Sequence, residues 1–123
     1  MEKLKTIQKR EKLNNIYMLD NHHTYSIRKV IEEKSEKESD VEECELVKIQ
    51  FQNGARKKNE SIHGVIDTDL LEIVKNRLEF FQSGDFATRD NAIAITHIET
   101  ALLYLNKRVE DRIEREVLGT DFR

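Results

Sequence analysis

Hydrophobic and polar residues alternate along the first half of the chain, in the segments NIYMLDN, HTYSIRKVI and ECELVKIQF. Alternation that includes β-branched and aromatic residues is typical of strands with one buried face. Residues 20–23, with the sequence DNHH, are turn-forming and separate the first two segments. The pattern predicts a small antiparallel sheet over residues 14–53, with Asn53 and Gly54 ending its last strand.

The apolar period becomes helical after Gly64. Asp67 or Thr68 can cap a helix at this point, and Gly84 can take the left-handed conformation that ends it. Between them, apolar residues recur at helical spacing up to about Gln82: Leu70, Leu71, Val74, Leu78 and Phe81. The sequence therefore predicts a first helix that ends just before Gly84.

A second helix is predicted from near Thr88 to the next helix-breaking residue, Gly119. Its apolar stripe alternates steps of three and four residues: Ile95, Ile98, Leu102, Leu105 and Val109. A stripe of this kind is a packing surface. Together the helices predict an antiparallel hairpin over residues 65–118, which would pack on the sheet, on another copy of the chain, or on both.

The composition describes a polar chain, because 37% of its 123 residues are hydrophobic and 37% are charged. This length fits one domain, residues 1–123, with a small core. We therefore expect a homo-oligomeric α+β protein whose N-terminal sheet packs on the helical hairpin. The net charge of −3 disfavours general binding to DNA or RNA. The single cysteine and the lack of a long apolar run predict a cytoplasmic protein with no membrane partner.

Few residues have the pattern of a catalytic or metal-binding site. His97 has no second ligand at metal-binding spacing. The sequence has no Gly-rich phosphate loop and no nucleophile elbow. We expect no enzymatic activity, no cofactor and no metal ion.

The candidate binding residues lie near the two ends of the second helix. Phe80 and Phe81 cannot face the same core, because adjacent helical positions point about 100° apart. Arg108 and Arg112 share a helix face, where two guanidinium groups can clamp a diphosphate or stack on a base. The alternative is structural: Asp111 would neutralise Arg108 and Arg115 on the helix surface. Asn91 would then only help to cap the first turn of the helix.

Asn91 and Arg108 are separated by about 25 Å along a continuous helix, at roughly 1.5 Å per residue. One small ligand therefore cannot contact both residues within a chain. If two copies pack their hairpins antiparallel, the Phe81 and Asn91 corner of one copy meets the Arg108 and Arg112 end of the other. A two-fold dimer would then have two equivalent composite pockets, suited to a nucleotide-like anion.

The C-terminal part of the chain resembles the first Thoeris anti-defence family of phage proteins. The resemblance is carried by IQFQNG, GVIDTDLLEIV and NRLEFFQSGDFATRDNAIAITHIETALLYLNKRVEDRIEREVLGTD. The hairpin is also similar to that of a related anti-CBASS phage sponge family, which acts against cyclic-oligonucleotide signalling. The resemblance implies a small sheet packed on a helical hairpin, assembled as dimers that can build hexamers.

This resemblance also implies a function in immune evasion. Such proteins bind glycocyclic ADP-ribose, the cyclic ADP-ribose isomer made by bacterial TIR-domain enzymes, and sequester it without cleaving it. In the matching positions, Phe81 would stack on the adenine and Asn91 would hydrogen-bond the ligand. Arg108 and Arg112 would come from the partner chain to stack and to hold phosphates.

The resemblance implies a second ligand class as well. Family members can take up cyclic trinucleotides at a separate site, for which Arg56 and Arg89 are the candidates. The working location would be the cytoplasm of an infected bacterium.

Two other classes of protein stay open from the sequence. In one, the hairpin is a protein-interaction module that binds a host protein, and Arg108 and Arg112 form surface ion pairs. In the other, the arginine-rich end of the second helix binds nucleic acid, which the acidic balance of the chain disfavours.

Overall fold

The computed structural model describes residues 1–7, 13–31, 42–54 and 60–120, with side chains described as far as Asp111. Strands come first along the chain and two helices follow. The elements are β1 (Glu2–Lys3), β2 (Asn14–Asp20), β3 (Thr24–Ile31), β4 (Glu42–Gln50), α1 (Asp67–Gln82) and α2 (Arg89–Thr120). The strands form one antiparallel sheet in the order β1-β2-β3-β4. The predicted α+β class, with a sheet followed by two helices, is confirmed.

The chain divides into two compact units, one of residues Met1–Val65 with the sheet and one of residues Ile66–Arg123 with the helices. The expectations of a single domain, of a sheet packed on the hairpin and of a homo-oligomer stay predictions. Neither helix has a described stretch that is long and apolar enough to cross a membrane.

The two faces of the sheet differ as the alternating pattern predicts. Strand β2 pairs with β3 so that Ile16 lies opposite Ile27 and Tyr17 lies opposite Ser26. Successive side chains of a strand point to opposite faces, so the isoleucines share one face and the polar pair shares the other. The central residue of the polar face, Ser26, has no solvent exposure.

Hydrogen bonds explain how polar side chains are buried on this face. The Ser26 hydroxyl donates to Glu45 Oε2 and accepts a hydrogen bond from Arg28 Nε at 3.0 Å. The Arg28 guanidinium also lies 5.4 Å from the centre of the Tyr17 ring. Buried polar groups are tolerated when their hydrogen bonds are satisfied, so this network stabilises the sheet instead of weakening it.

Glu43 extends the network from β4 to β2. Tyr17 donates a hydrogen bond to Glu43 Oε1 at 2.6 Å, and Asn15 Nδ2 donates to Glu43 Oε2 at 3.0 Å. Burial alone would raise the pKa of the Glu43 carboxyl, but the hydrogen bonds from Tyr17 and Asn15, together with the positive charges of Arg28 and Lys3, outweigh it and lower the pKa. The same hydrogen bond to Glu43 raises the pKa of the Tyr17 hydroxyl.

The chain after β4 turns back on itself before it reaches the helical unit. Phe51 forms a parallel bridge with Val65, and Gly54 has a φ of +97°, which favours glycine. Gly64 is required for a different reason: a Cβ atom placed there would lie 2.2 Å from the carbonyl oxygen of Gln50. The glycine allows the two backbone segments to approach closely.

Helix α1 ends at Gln82, as the sequence predicts, but the caps at both of its ends differ from the prediction. The residue before the helix is Ile66, whose backbone N–H donates to Asp69 Oδ2 at 3.0 Å, so neither Asp67 nor Thr68 is the cap. Gly84 was expected in a left-handed conformation, but among the described glycines only Gly54 has a positive φ. Ser83 closes α1 in a right-handed conformation, and its hydroxyl donates to the Phe80 carbonyl at 2.7 Å.

Helix α2 begins as the sequence predicts. Thr88 precedes its first residue, and the Thr88 hydroxyl accepts a hydrogen bond from the backbone N–H of Asn91 at 3.0 Å. Such a bond satisfies one of the amide groups that a helix start leaves unpaired. The helix continues to Thr120, one residue beyond the predicted breaker.

The predicted apolar stripe of α2 is covered along part of its length. Leu102 is 4% exposed, whereas Val109 at the far end of the stripe is 40% exposed. Helix α1 has 16 residues and α2 has 32, so α1 is about 24 Å shorter at a rise of about 1.5 Å per residue. Within the helical unit, α1 is therefore too short to cover the second half of α2.

Candidate functional site

The helical corner is the end of α1, the turn of residues 83–88 and the first turn of α2. Phe81 is half-buried there, and its ring lies 5.6 Å from the Phe80 ring and 6.2 Å from the Phe86 ring, in T-shaped arrangements. Phe80 and Phe86 are 71% and 72% exposed. Adjacent phenylalanines thus differ in burial, as their angular offset predicts. Phe81 forms the centre of an aromatic cluster that remains open to solvent on its outer side.

Asn91 is held beside this cluster through Phe86. Its side-chain Nδ2 donates to the Phe86 carbonyl at 3.4 Å, and the ring of the same Phe86 contacts Phe81. A second hydrogen bond stabilises the turn: the Thr88 N–H donates to Gln82 Oε1 at 2.7 Å. No described residue donates a hydrogen bond to Asn91 Oδ1, which leaves this acceptor available for a ligand.

Arg77 adds a positive charge to the corner. Its guanidinium lies 5.1 Å from the centre of the Phe81 ring, over the ring face. This distance is within the range of a cation–π interaction. The corner therefore combines an aromatic surface, an amide acceptor and a guanidinium group.

The second predicted half of the pocket lies elsewhere on the same helix. Arg108 is exposed on α2, which runs without interruption between Asn91 and Arg108. The structure does not bring Arg108 to the corner of its own chain. Arg108 and Asp111 form no salt bridge within the described part of the helix, so the ion pair of the structural alternative is not made between these two.

The other predicted site residues have the following positions. Arg112 lies on α2, and its side chain is outside the described residues. Arg89 is the exposed first residue of α2, and Arg56 lies outside the described residues. The described His, Cys, Asp and Glu side chains include no group of three or more that could hold a metal ion.

Sequence reasoning did not single out two residues of the corner, Phe86 and Arg77. Phe86 is the third aromatic residue of the segment FFQSGDF, so its aromatic type was the available signal. Arg77 precedes Phe81 by four positions, and residues at that spacing are neighbours on a helix surface.

The fold and the corner define a small α+β protein whose helical hairpin ends in an aromatic and polar surface. Residues 43–110 match the family described as "Acb2/Tad1, hairpin domain", and the chain belongs to this family because the match covers more than half of its 123 residues. The chain is also similar to "Thoeris anti-defense 1" of Bacillus phage SBSphiJ7, with 43% identity over 75 residues. These comparisons confirm the family resemblance of the sequence.

The matched stretch is 61% of this chain and 52% of the phage relative. The chain thus matches about half the length of that curated relative. Phe81, Asn91 and Arg108 fall within the family match, which ends at residue 110.

Proposed function

We propose that this protein is a phage anti-defence protein that sequesters glycocyclic ADP-ribose and so prevents activation of the Thoeris effector. The family match over residues 43–110 and the 43% identity to a relative named for Thoeris anti-defence support this function. The observation that carries the ligand assignment is the helical corner, where the ring of Phe81 and the free acceptor of Asn91 are held together by Phe86.

The chemistry of the corner suits an adenine base. A half-buried phenylalanine ring gives a flat apolar surface for stacking. An asparagine amide can pair with adenine, because its oxygen accepts from the exocyclic amino group while its nitrogen donates to a ring nitrogen. The bond from Asn91 Nδ2 to Phe86 is long, at 3.4 Å, and exchanging it for a bond to the base would cost little.

The phosphates of the ligand require positive charge, which we assign to Arg108 and Arg112 of a second copy. Arg108 has no salt-bridge partner among the described residues, so its guanidinium is free to bind an anion. Leu103 and Tyr104, on the preceding turn of α2, are 71% and 68% exposed. Apolar exposure of this extent favours burial against another protein surface, and a second hairpin would provide one.

The bound ligand would be released unchanged, because the proposed role is storage and not cleavage. A separate site for cyclic trinucleotides, with Arg56 and Arg89 as its arginines, completes the proposal. Arg89 is exposed at the start of α2 and is available for such a contact.

The test is recovery of the ligand. Purified protein is incubated with glycocyclic ADP-ribose, washed, heat-denatured and extracted, and the released material is identified by mass spectrometry. The proposal expects the intact molecule in stoichiometric amounts. Recovery of a cleaved product would show an enzyme, and recovery of no nucleotide would reject the ligand.

The protein-interaction module is the second candidate, and the exposure of Phe80 and Phe86 favours it. Exposed phenylalanines are typical anchors of protein interfaces. The two candidates differ in their assembly in the absence of any partner. Light scattering after size exclusion should detect a dimer or a larger assembly if the pocket is shared between copies. It should detect a monomer if the surface of the hairpin binds a host protein instead of a second copy.

A further inference from the structure

Arg77 has no acidic partner among the described residues, although it lies on a helix with several carboxylates. The nearby Lys75 forms a salt bridge of 3.2 Å with Glu79, four residues further along the helix, which is the usual sequence spacing for such a pair. Arg77 makes no salt bridge with any described residue, and its described contact is with the ring of Phe81. Its charge and its N–H donors are therefore available to a ligand.

The position of Arg77 bears directly on stacking at Phe81. A base stacked on an aromatic ring lies about 3.5 Å from it, and the Arg77 guanidinium is 5.1 Å from the ring centre. With a base between them, the guanidinium would lie about 7 Å from the Phe81 ring, as the second stacked plane. Arg77 would therefore have to move away from the ring by about 2 Å to admit a base. Arginine has a long, flexible side chain that can move by this distance, and Arg77 is exposed.

We infer that Arg77 is a further ligand-binding residue, and that the adenine base inserts between the Phe81 ring and the Arg77 guanidinium. This inference rests on the proposed function, because it takes the cyclic ADP-ribose isomer as the ligand. A guanidinium is planar and stacks on a base, whereas an ammonium group acts as a point charge. Arg77 would also attract the negatively charged diphosphate, so it contributes from within the same chain that holds Phe81.

The experiment is calorimetric titration of glycocyclic ADP-ribose into the full-length protein and its Arg77 variants. Arg77→Gln removes the charge and the planar cation, and we expect its Kd to rise about tenfold. Arg77→Lys keeps the charge but loses the stacking plane, and we expect at least about threefold weaker binding.

Two control variants distinguish direct binding by Arg77 from a general effect of lost positive charge or of a lost salt bridge. Lys48→Gln removes the same charge from the sheet unit, and Lys75→Gln removes the helix salt bridge to Glu79. Both should bind like the wild type. Thermal unfolding of each variant shows whether a change in Kd is accompanied by a change in stability, because a purely structural Arg77 would lower Tm and leave Kd unchanged.

The outcomes distinguish the two proposals. Wild-type affinity in both Arg77 variants, with binding lost in Phe81→Ala, overturns the role of Arg77 and leaves the sequestration function standing. Equal weakening in Arg77→Gln and Lys48→Gln also overturns it, since only net charge would then matter. A wild-type protein that does not bind the ligand rejects the proposed function and this inference with it.

Discussion

Asn91 donates a hydrogen bond from its side-chain amide to the backbone carbonyl of Phe86, at 3.4 Å. This bond crosses from the first turn of α2 to the turn that precedes it, and the Phe86 ring continues the contact to Phe81 on α1. The aromatic surface and the amide are therefore positioned by one residue between them. Pre-positioning of this kind reduces the entropy lost when a ligand binds.

Replacement of Phe81 should remove the stacking surface. We expect Phe81→Ala to weaken binding of glycocyclic ADP-ribose about ten- to a hundredfold, measured by titration calorimetry. Phe80→Ala is the matched control, because it deletes an adjacent ring that is 71% exposed. Equal losses in the two variants would show that Phe81 has no special role, and circular dichroism checks that both variants are folded.

A shared pocket predicts complementation between two defective variants. Asn91→Ala and Arg108→Gln should each bind poorly alone, because each removes one half of every pocket. When the two proteins are mixed and allowed to exchange subunits, every mixed dimer has one intact pocket, which is about a quarter of all pockets at equal amounts. Calorimetry should then recover binding at about that stoichiometry. If binding does not recover once subunit exchange has been verified, the pocket is not shared between two chains.

The Glu43 network predicts an acid-sensitive sheet. The folded protein holds the pKa of Glu43 below the usual value of 4.5, so the carboxylate stabilises the fold above that pH. This stability is lost as the pH falls from 4.5 through the lowered pKa. Urea unfolding of wild type and Glu43→Gln at a series of pH values measures it. The variant should lose less stability than wild type below pH 4.5, and parallel curves would contradict the prediction.

The pKa shift of Tyr17 makes stability depend on pH in the opposite direction, in the alkaline range. Its pKa is raised above 10.0 by the hydrogen bond to Glu43, so its contribution is complete below that pH and is lost as the pH rises further. Tyr17→Phe serves as a control for the network, because it removes the donor to Glu43 but keeps the ring beneath Arg28.

The glycines predict contrasting effects on stability. Gly64→Ala would place a Cβ atom 2.2 Å from the Gln50 carbonyl oxygen, and we expect it to lower the free energy of unfolding by about 1–3 kcal/mol. Gly84→Ala meets no atom within 4 Å and needs no positive φ, so it should leave Tm unchanged or raise it slightly. Thermal melts of the two variants compare them directly. A large loss in Gly84→Ala would show a packing role for the open side of the corner.

The sequence alone predicted the elements that can be recognised from the spacing of apolar residues along the chain. Alternation over β2, β3 and β4 and the helical stripes of α1 and α2 gave the α+β class, because the side-chain period of a strand or helix is fixed by backbone geometry. The start of α2 was equally predictable, since the Thr88 cap acts within one turn. The motif around the corner also carried the family resemblance, which the match over residues 43–110 confirms.

Only the tertiary structure decided the contacts that cross the corner. The link from Asn91 through Phe86 to Phe81 depends on how the two helices meet, and local period does not specify that. The exposure of Val109 likewise follows from the short length of α1. Sequence periodicity determines which face of an element is apolar, whereas the partner that covers the face is set by packing in three dimensions.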